Sequence, residues 1–110
     1  MMRLPLSDAA AGLFRALLAR AAVSRDRILL SEFRSADWQS LTFIGERHQI
    51  SLRIPGPDAD NIVRRLTAGI EDAEFPIAGH LVADITLAEP PLRNGDGSIS
   101  VEIEALTIAE

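Results

Sequence analysis

Apolar residues at Ala10, Leu13, Phe14, Leu17, Leu18 and Ala21 recur at the i, i+3, i+4, i+7 spacing of a helix with one buried face. Ser7 stands before them as a capping residue. Asp8 falls in the first turn, where the helix dipole favours an acid. The spacing predicts a helix over 7–22, with Arg15 and Arg20 off the stripe. A second stripe, Ala59, Ile62, Val63, Leu66 and Ile70, predicts a helix over 58–69 after the breaker Pro55-Gly56-Pro57. Asp58 and Asp60 sit at its positive end, and Arg64 and Arg65 project from its outer side.

Elsewhere the period shortens to two. Residues 27–34 read as a first strand, with a helical extension as the alternative, and Ser35-Ala36-Asp37 supplies turn chemistry. In 37–54, Leu41 and Phe43 alternate with Ser40 and Thr42. Ile50, Leu52 and Ile54 alternate with Gln49, Ser51 and Arg53. This predicts a hairpin closed at Gly45-Glu46, or by a four-residue loop through His48. Both registers put Leu41, Phe43, Ile50 and Leu52 on one face, because they differ by an even step. A fourth strand follows at 80–87. A fifth starts at Ile99, Val101 and Ile103, where the alternation then slips to Leu106 and Ile108. Either a bulge near Glu104-Ala105 restores the inward face, or the last residues face a second apolar surface. The order α-β-β-β-α-β-β predicts one α+β domain over 1–110. Its architecture is a two-layer sandwich, a five-stranded, mostly antiparallel sheet with two helices on one face.

Composition narrows the chemistry. A chain of 110 residues with 47% hydrophobic content is long enough for one core. Without cysteine there is no disulfide, thiolate ligand or thiol nucleophile. All basic residues are Arg, as in alanine-rich chains from GC-rich genomes, so a lysine Schiff base and a P-loop lysine are excluded. The net charge of −5 and the lack of a basic run argue against nucleic acid. No apolar run is long and uncharged enough to span a bilayer, and none reads as a signal peptide. The expected location is the cytoplasm, with no membrane partner. The charge is split along the chain: residues 1–65 are net basic, and 66–110 hold Arg93 against nine acids.

Three groups of residues are candidates for function. Trp38, the single tryptophan, opens the predicted second strand on the face opposite Leu41. With Ser40, Thr42, Ser51 and Val82 it would form a flat mixed surface suited to a homodimer or another protein partner. His48, opposite Phe43 in one register, could with Phe14, Arg47 and Phe75 line a ligand pocket between sheet and helices. His80, Asp84 and Glu102 could share a face and hold a hard divalent cation, although none of the standard metal spacings is present. No spacing completes a catalytic relay around His48, and no cofactor motif occurs. The element order and acidic charge resemble those of the secretion chaperones of bacterial type III systems, which are small and dimeric. No single motif carries that resemblance. The expected role is a homodimeric interaction module rather than an enzyme.

Overall fold

Ser7 accepts a hydrogen bond from the Ala10 amide at 3.1 Å, capping the first helix as its position predicts. The computed structural model describes residues 6–110. In chain order it contains α1 (Asp8–Ala21), β1 (Leu29–Gln39), β2 (Ile44–Ile54), α2 (Ala59–Thr67), β3 (His80–Leu87), β4 (Leu92–Arg93) and β5 (Ile99–Ala109). Single 3-10 turns occur at Arg25–Arg27 and Ile70–Asp72. The sheet is antiparallel throughout, in the order β1-β2-β5-β3, with β4 beside the start of β5. The fold is the expected two-layer α+β sandwich.

Both helices form where the apolar stripes predict. Leu13, Phe14 and Leu17 of α1 and Ile62, Val63 and Leu66 of α2 are buried. They join Phe33, Ile50, Leu52, Ile54, Ile85, Val101 and Ile103 of the sheet in one core. The helices also tie each other's ends. Arg20 of α1 donates from Nε to the Leu66 carbonyl at 2.9 Å and from its terminal nitrogen to the Ala68 carbonyl. Arg65 of α2 donates to the Ala21 carbonyl at 2.8 Å. Each arginine thus satisfies carbonyls that the other helix leaves unpaired at its negative end.

The strand boundaries differ from the sequence reading in three places. Residues 29–39 form one continuous strand, so Ser35-Ala36-Asp37 is not a turn. The hairpin instead closes at residues 40–43, where the Ser40 amide donates to the Phe43 carbonyl at 2.9 Å. Ser40 Oγ also accepts from the Phe43 amide at 3.1 Å. Leu41 and Phe43 therefore leave the core face for the tip, and His48 faces Ser35 rather than Phe43. The fifth strand is the short β4, so two strands precede α2 and three follow it. In β5 there is no bulge. The register slips in β3, between Val82 and Asp84, and in β1, between Leu30 and Glu32.

Candidate functional site

The pairing registers, read together with burial, sort every strand residue onto one of two faces. Toward the helices point Phe33 and Ser35 of β1, and Glu46, His48, Ile50, Leu52 and Ile54 of β2. The same face takes Ile99, Val101, Ile103, Ala105 and Thr107 of β5, and Val82, Ile85 and Leu87 of β3. Among the described residues no helix lies over the outer face. Across its four strands lie the rows Trp38–Gly45–Ile108–Leu81, then Ala36–Arg47–Leu106–Asp84, then Arg34–Gln49–Glu104–Thr86. The first row is apolar from edge to edge. Leu81 is 55% exposed, whereas Trp38, Leu106 and Ile108 are half-buried. Phe43 and the fully exposed Leu41 of the hairpin tip extend the apolar area beyond that row.

Gly45 is the gap in the row. A Cβ at this position would fall on the Thr107 carbonyl oxygen, far inside contact distance, so β2 and β5 approach there only because residue 45 has no side chain. Below the apolar row the face is charged. Arg34 pairs with Glu32 at 3.1 Å, and Arg53 with Asp96. Among the described residues Arg47, Asp84, Glu102 and Glu104 make no ion pair. A shallow groove of about 500 Å³ runs over Arg34, Ala36, Arg47, Gln49 and Glu104.

The expected interface residues divide accordingly. Trp38 and Ser51 lie on the outer face, Ser51 in the charged half opposite Glu32. Ser40 and Thr42 sit in the hairpin turn. Val82 belongs to the helix-facing side, opposite Thr107, and packs against the core. The β3 irregularity after Val82 reverses the alternation that sequence spacing alone implies.

The expected ligand pocket is not assembled. Phe14 and Phe75 are core residues, Phe43 is at the tip, and Arg47 points outward. His48 is buried and fully engaged (1% exposed). Its Nδ1 is 2.7 Å from Ser35 Oγ, and its Nε2 is 2.8 Å from Thr107 Oγ1. The Phe33 ring meets it edge-on at 5.8 Å. Burial pushes the imidazole below its ordinary value of 6.5, outweighing the opposite pull of the Glu46 carboxylate; His80 lowers it further. The ring is thus neutral near pH 7, and the 3.9 Å approach of Glu46 is not an ion pair. That carboxylate favours a proton on Nε2, so Nε2–H donates to Thr107 and Ser35 O–H donates to Nδ1. Glu46 in turn accepts from the capping Ser7 hydroxyl at 2.6 Å, joining α1 to the sheet. A serine hydroxyl on a neutral imidazole is one element of a nucleophilic site. Ser35 and His48 also border the 500 Å³ groove, but the His48 side chain is 0% exposed, so the imidazole presents no surface to it.

The expected metal trio is also dispersed. His80 is opposite Ala109, Asp84 opposite Leu106, and Glu102 opposite Ser51. The β3 irregularity sends His80 and Asp84 to opposite faces, and no group of three metal-ligating side chains forms among the described residues. No described helix is long and apolar enough to cross a membrane.

The class is therefore a small two-layer α+β sandwich with one bare sheet face. Compared with protein-family models, with curated proteins and with solved structures, the chain has no match.

Proposed function

We propose that this protein is a cytoplasmic interaction module that works as a homodimer, with the outer sheet face as its interface. The observation that carries the reading is the apolar row Trp38–Gly45–Ile108–Leu81 on a face with no helix over it. An antiparallel sheet can leave one face wet, but a wet face is expected to alternate polar residues outward. Here Trp38, Leu106, Ile108 and Leu81 point outward together. The size is adequate. Three strands of 11 residues and one of 8, at about 3.3 Å per residue and about 4.8 Å apart, give a flat area of about 650 Å². Side-chain relief brings that close to the roughly 800 Å² per partner of a standard interface. The acidic net charge supports a protein partner over a nucleic acid.

Light scattering across a dilution series tests the reading. The protein should run as a dimer, and Trp38→Ala should weaken association by about tenfold or more, as loss of an aromatic anchor does. A monomer at high concentration, or a dimer of unchanged affinity in Trp38→Ala, refutes it.

A further inference from the structure

The outer face is divided lengthwise by charge. Its β1–β2 half carries Arg34, paired with Glu32, Arg53, paired with Asp96, and Arg47 without an ion pair, whereas its β5–β3 half carries Asp84, Glu102 and Glu104 and no arginine. It is divided crosswise by polarity, with the apolar row at one end only. Two in-plane two-fold axes can bring such a face against a second copy. An axis perpendicular to the strands lays each half on itself, Arg on Arg and Glu on Glu. It also turns the strands end for end, so apolar rows meet only if the axis passes through that row. An axis parallel to the strands lays β1–β2 on the partner's β5–β3. A closed two-fold allows no translation along its axis, so every row then meets the same row of the partner.

Resting on the homodimer reading, we infer that the second copy docks about a two-fold axis parallel to the strands, between β2 and β5. Two complementarities converge on this geometry. The basic half covers the acidic half. Apolar row covers apolar row. Within that row Trp38 meets the partner's Leu81, and the partner's Ile108 lies over Gly45, which its own strand neighbours already bury. The unpaired Arg47 lies over the partner's β5, within reach of the partner's Glu104, so the same contact occurs twice about the axis.

The chain contains no cysteine, so introduced thiols report cleanly. In this geometry Ala36 on one edge lies over the partner's Asp84 on the other, across a sheet separation of about 10 Å. The two copies of Ala36 are offset by three strand spacings, about 14 Å, in addition to that gap. Ala36→Cys and Asp84→Cys chains are mixed and treated with a short bismaleimide that spans about 10 Å. Cross-linked dimer is expected from the mixture and not from either variant alone.

As a second measurement, Arg47→Glu and Glu104→Arg should each weaken association by tenfold or more with unchanged melting. The chain carrying both should recover it, since the swapped charges again face opposites. Self-cross-linking of Ala36→Cys, or a dimer that does not cross-link in the mixture and does not respond to either reversal, overturns the axis. If Trp38→Ala still dissociates that dimer, the outer-face reading survives without it. A wild-type monomer overturns both.

Discussion

Thr107→Val exchanges a buried hydroxyl for a methyl of similar volume, which isolates the His48 bond from packing. Thr107 and His48 are 0% and 1% exposed, so water does not replace the lost partner. Leaving a buried imidazole N–H without an acceptor costs about 1–3 kcal/mol. Valine suits a strand somewhat better and brings no hydroxyl to desolvate, which offsets a few tenths of a kcal/mol. The expected loss is about 1–2 kcal/mol, or a fall in Tm of roughly 4–10 °C for a domain of this size. Urea unfolding at fixed protein concentration measures it.

His48→Leu completes the cycle. Ser35 is exposed and can turn to water, so in that background Thr107→Val should be nearly neutral, with a coupling of about 1 kcal/mol or more. Unchanged stability in Thr107→Val, with coupling below about 0.3 kcal/mol, would refute the assignment of this bond. The pH dependence follows from the same burial. The folded imidazole titrates below 6.5 and the unfolded one near 6.5, so between those values the unfolded chain binds more protons. This contribution is complete above pH 6.5 and is lost as pH falls through the folded-state value. His48→Leu should lack that part of the slope, and an identical slope in both proteins would contradict a buried neutral histidine.

Other substitutions test separate parts of the fold. Gly45→Ala should cost about 3 kcal/mol by forcing β2 from β5, and urea unfolding would show it; wild-type stability would deny the close approach. Arg20→Ala and Arg65→Ala should each cost about 1 kcal/mol, with faster amide exchange in both helices rather than only in the mutated one. Asp96 is held at about 2 mainly by its Ser98 hydrogen bonds and then by Arg53, so its contribution to loop order is present above the ordinary value of 3.8 and fades as pH falls toward 2. Asp96→Asn should raise exchange at the Ser98 amide at neutral pH, and unchanged exchange would contradict that role.

The helices were legible because their stripes are strictly local: apart from the partly buried Leu18, every residue from Leu13 to Leu66 in the two stripes is buried where a 3.6-residue period puts it. The hairpin was not. Ser35, Asp37 and Gln39 are polar on the helix-facing side because the helical layer leaves the far half of β1 exposed, so a strand there looks like a turn. Gly45 read as turn chemistry, but its requirement is tertiary: the neighbouring backbone of β5 leaves no room for a Cβ. The β3 irregularity has no composition signature, and with it went the placement of Val82, His80 and Asp84. The partners of His48 were half visible. Thr107 is the lone hydroxyl among Ile99, Val101, Ile103 and Ala105 on the inward parity of β5, a signal that a buried polar partner exists. Ser35 was hidden by the misplaced turn. Leu106 and Ile108 point away from the core, because β5 has no bulge to turn them inward.

The position of β5 also governs the order in which the molecule can be completed. It lies between β2 and β3, yet it leaves the ribosome after both. The β1–β2 hairpin closes through neighbours in sequence and can form early. Until residues 99–109 arrive, β2 keeps an open 11-residue edge, and the apolar faces of both helices lack Val101 and Ile103 beneath them. A nascent chain halted before β5 would therefore expose an edge and a half-built core at once. That form of the molecule would be the one most exposed to aggregation and to chaperone capture.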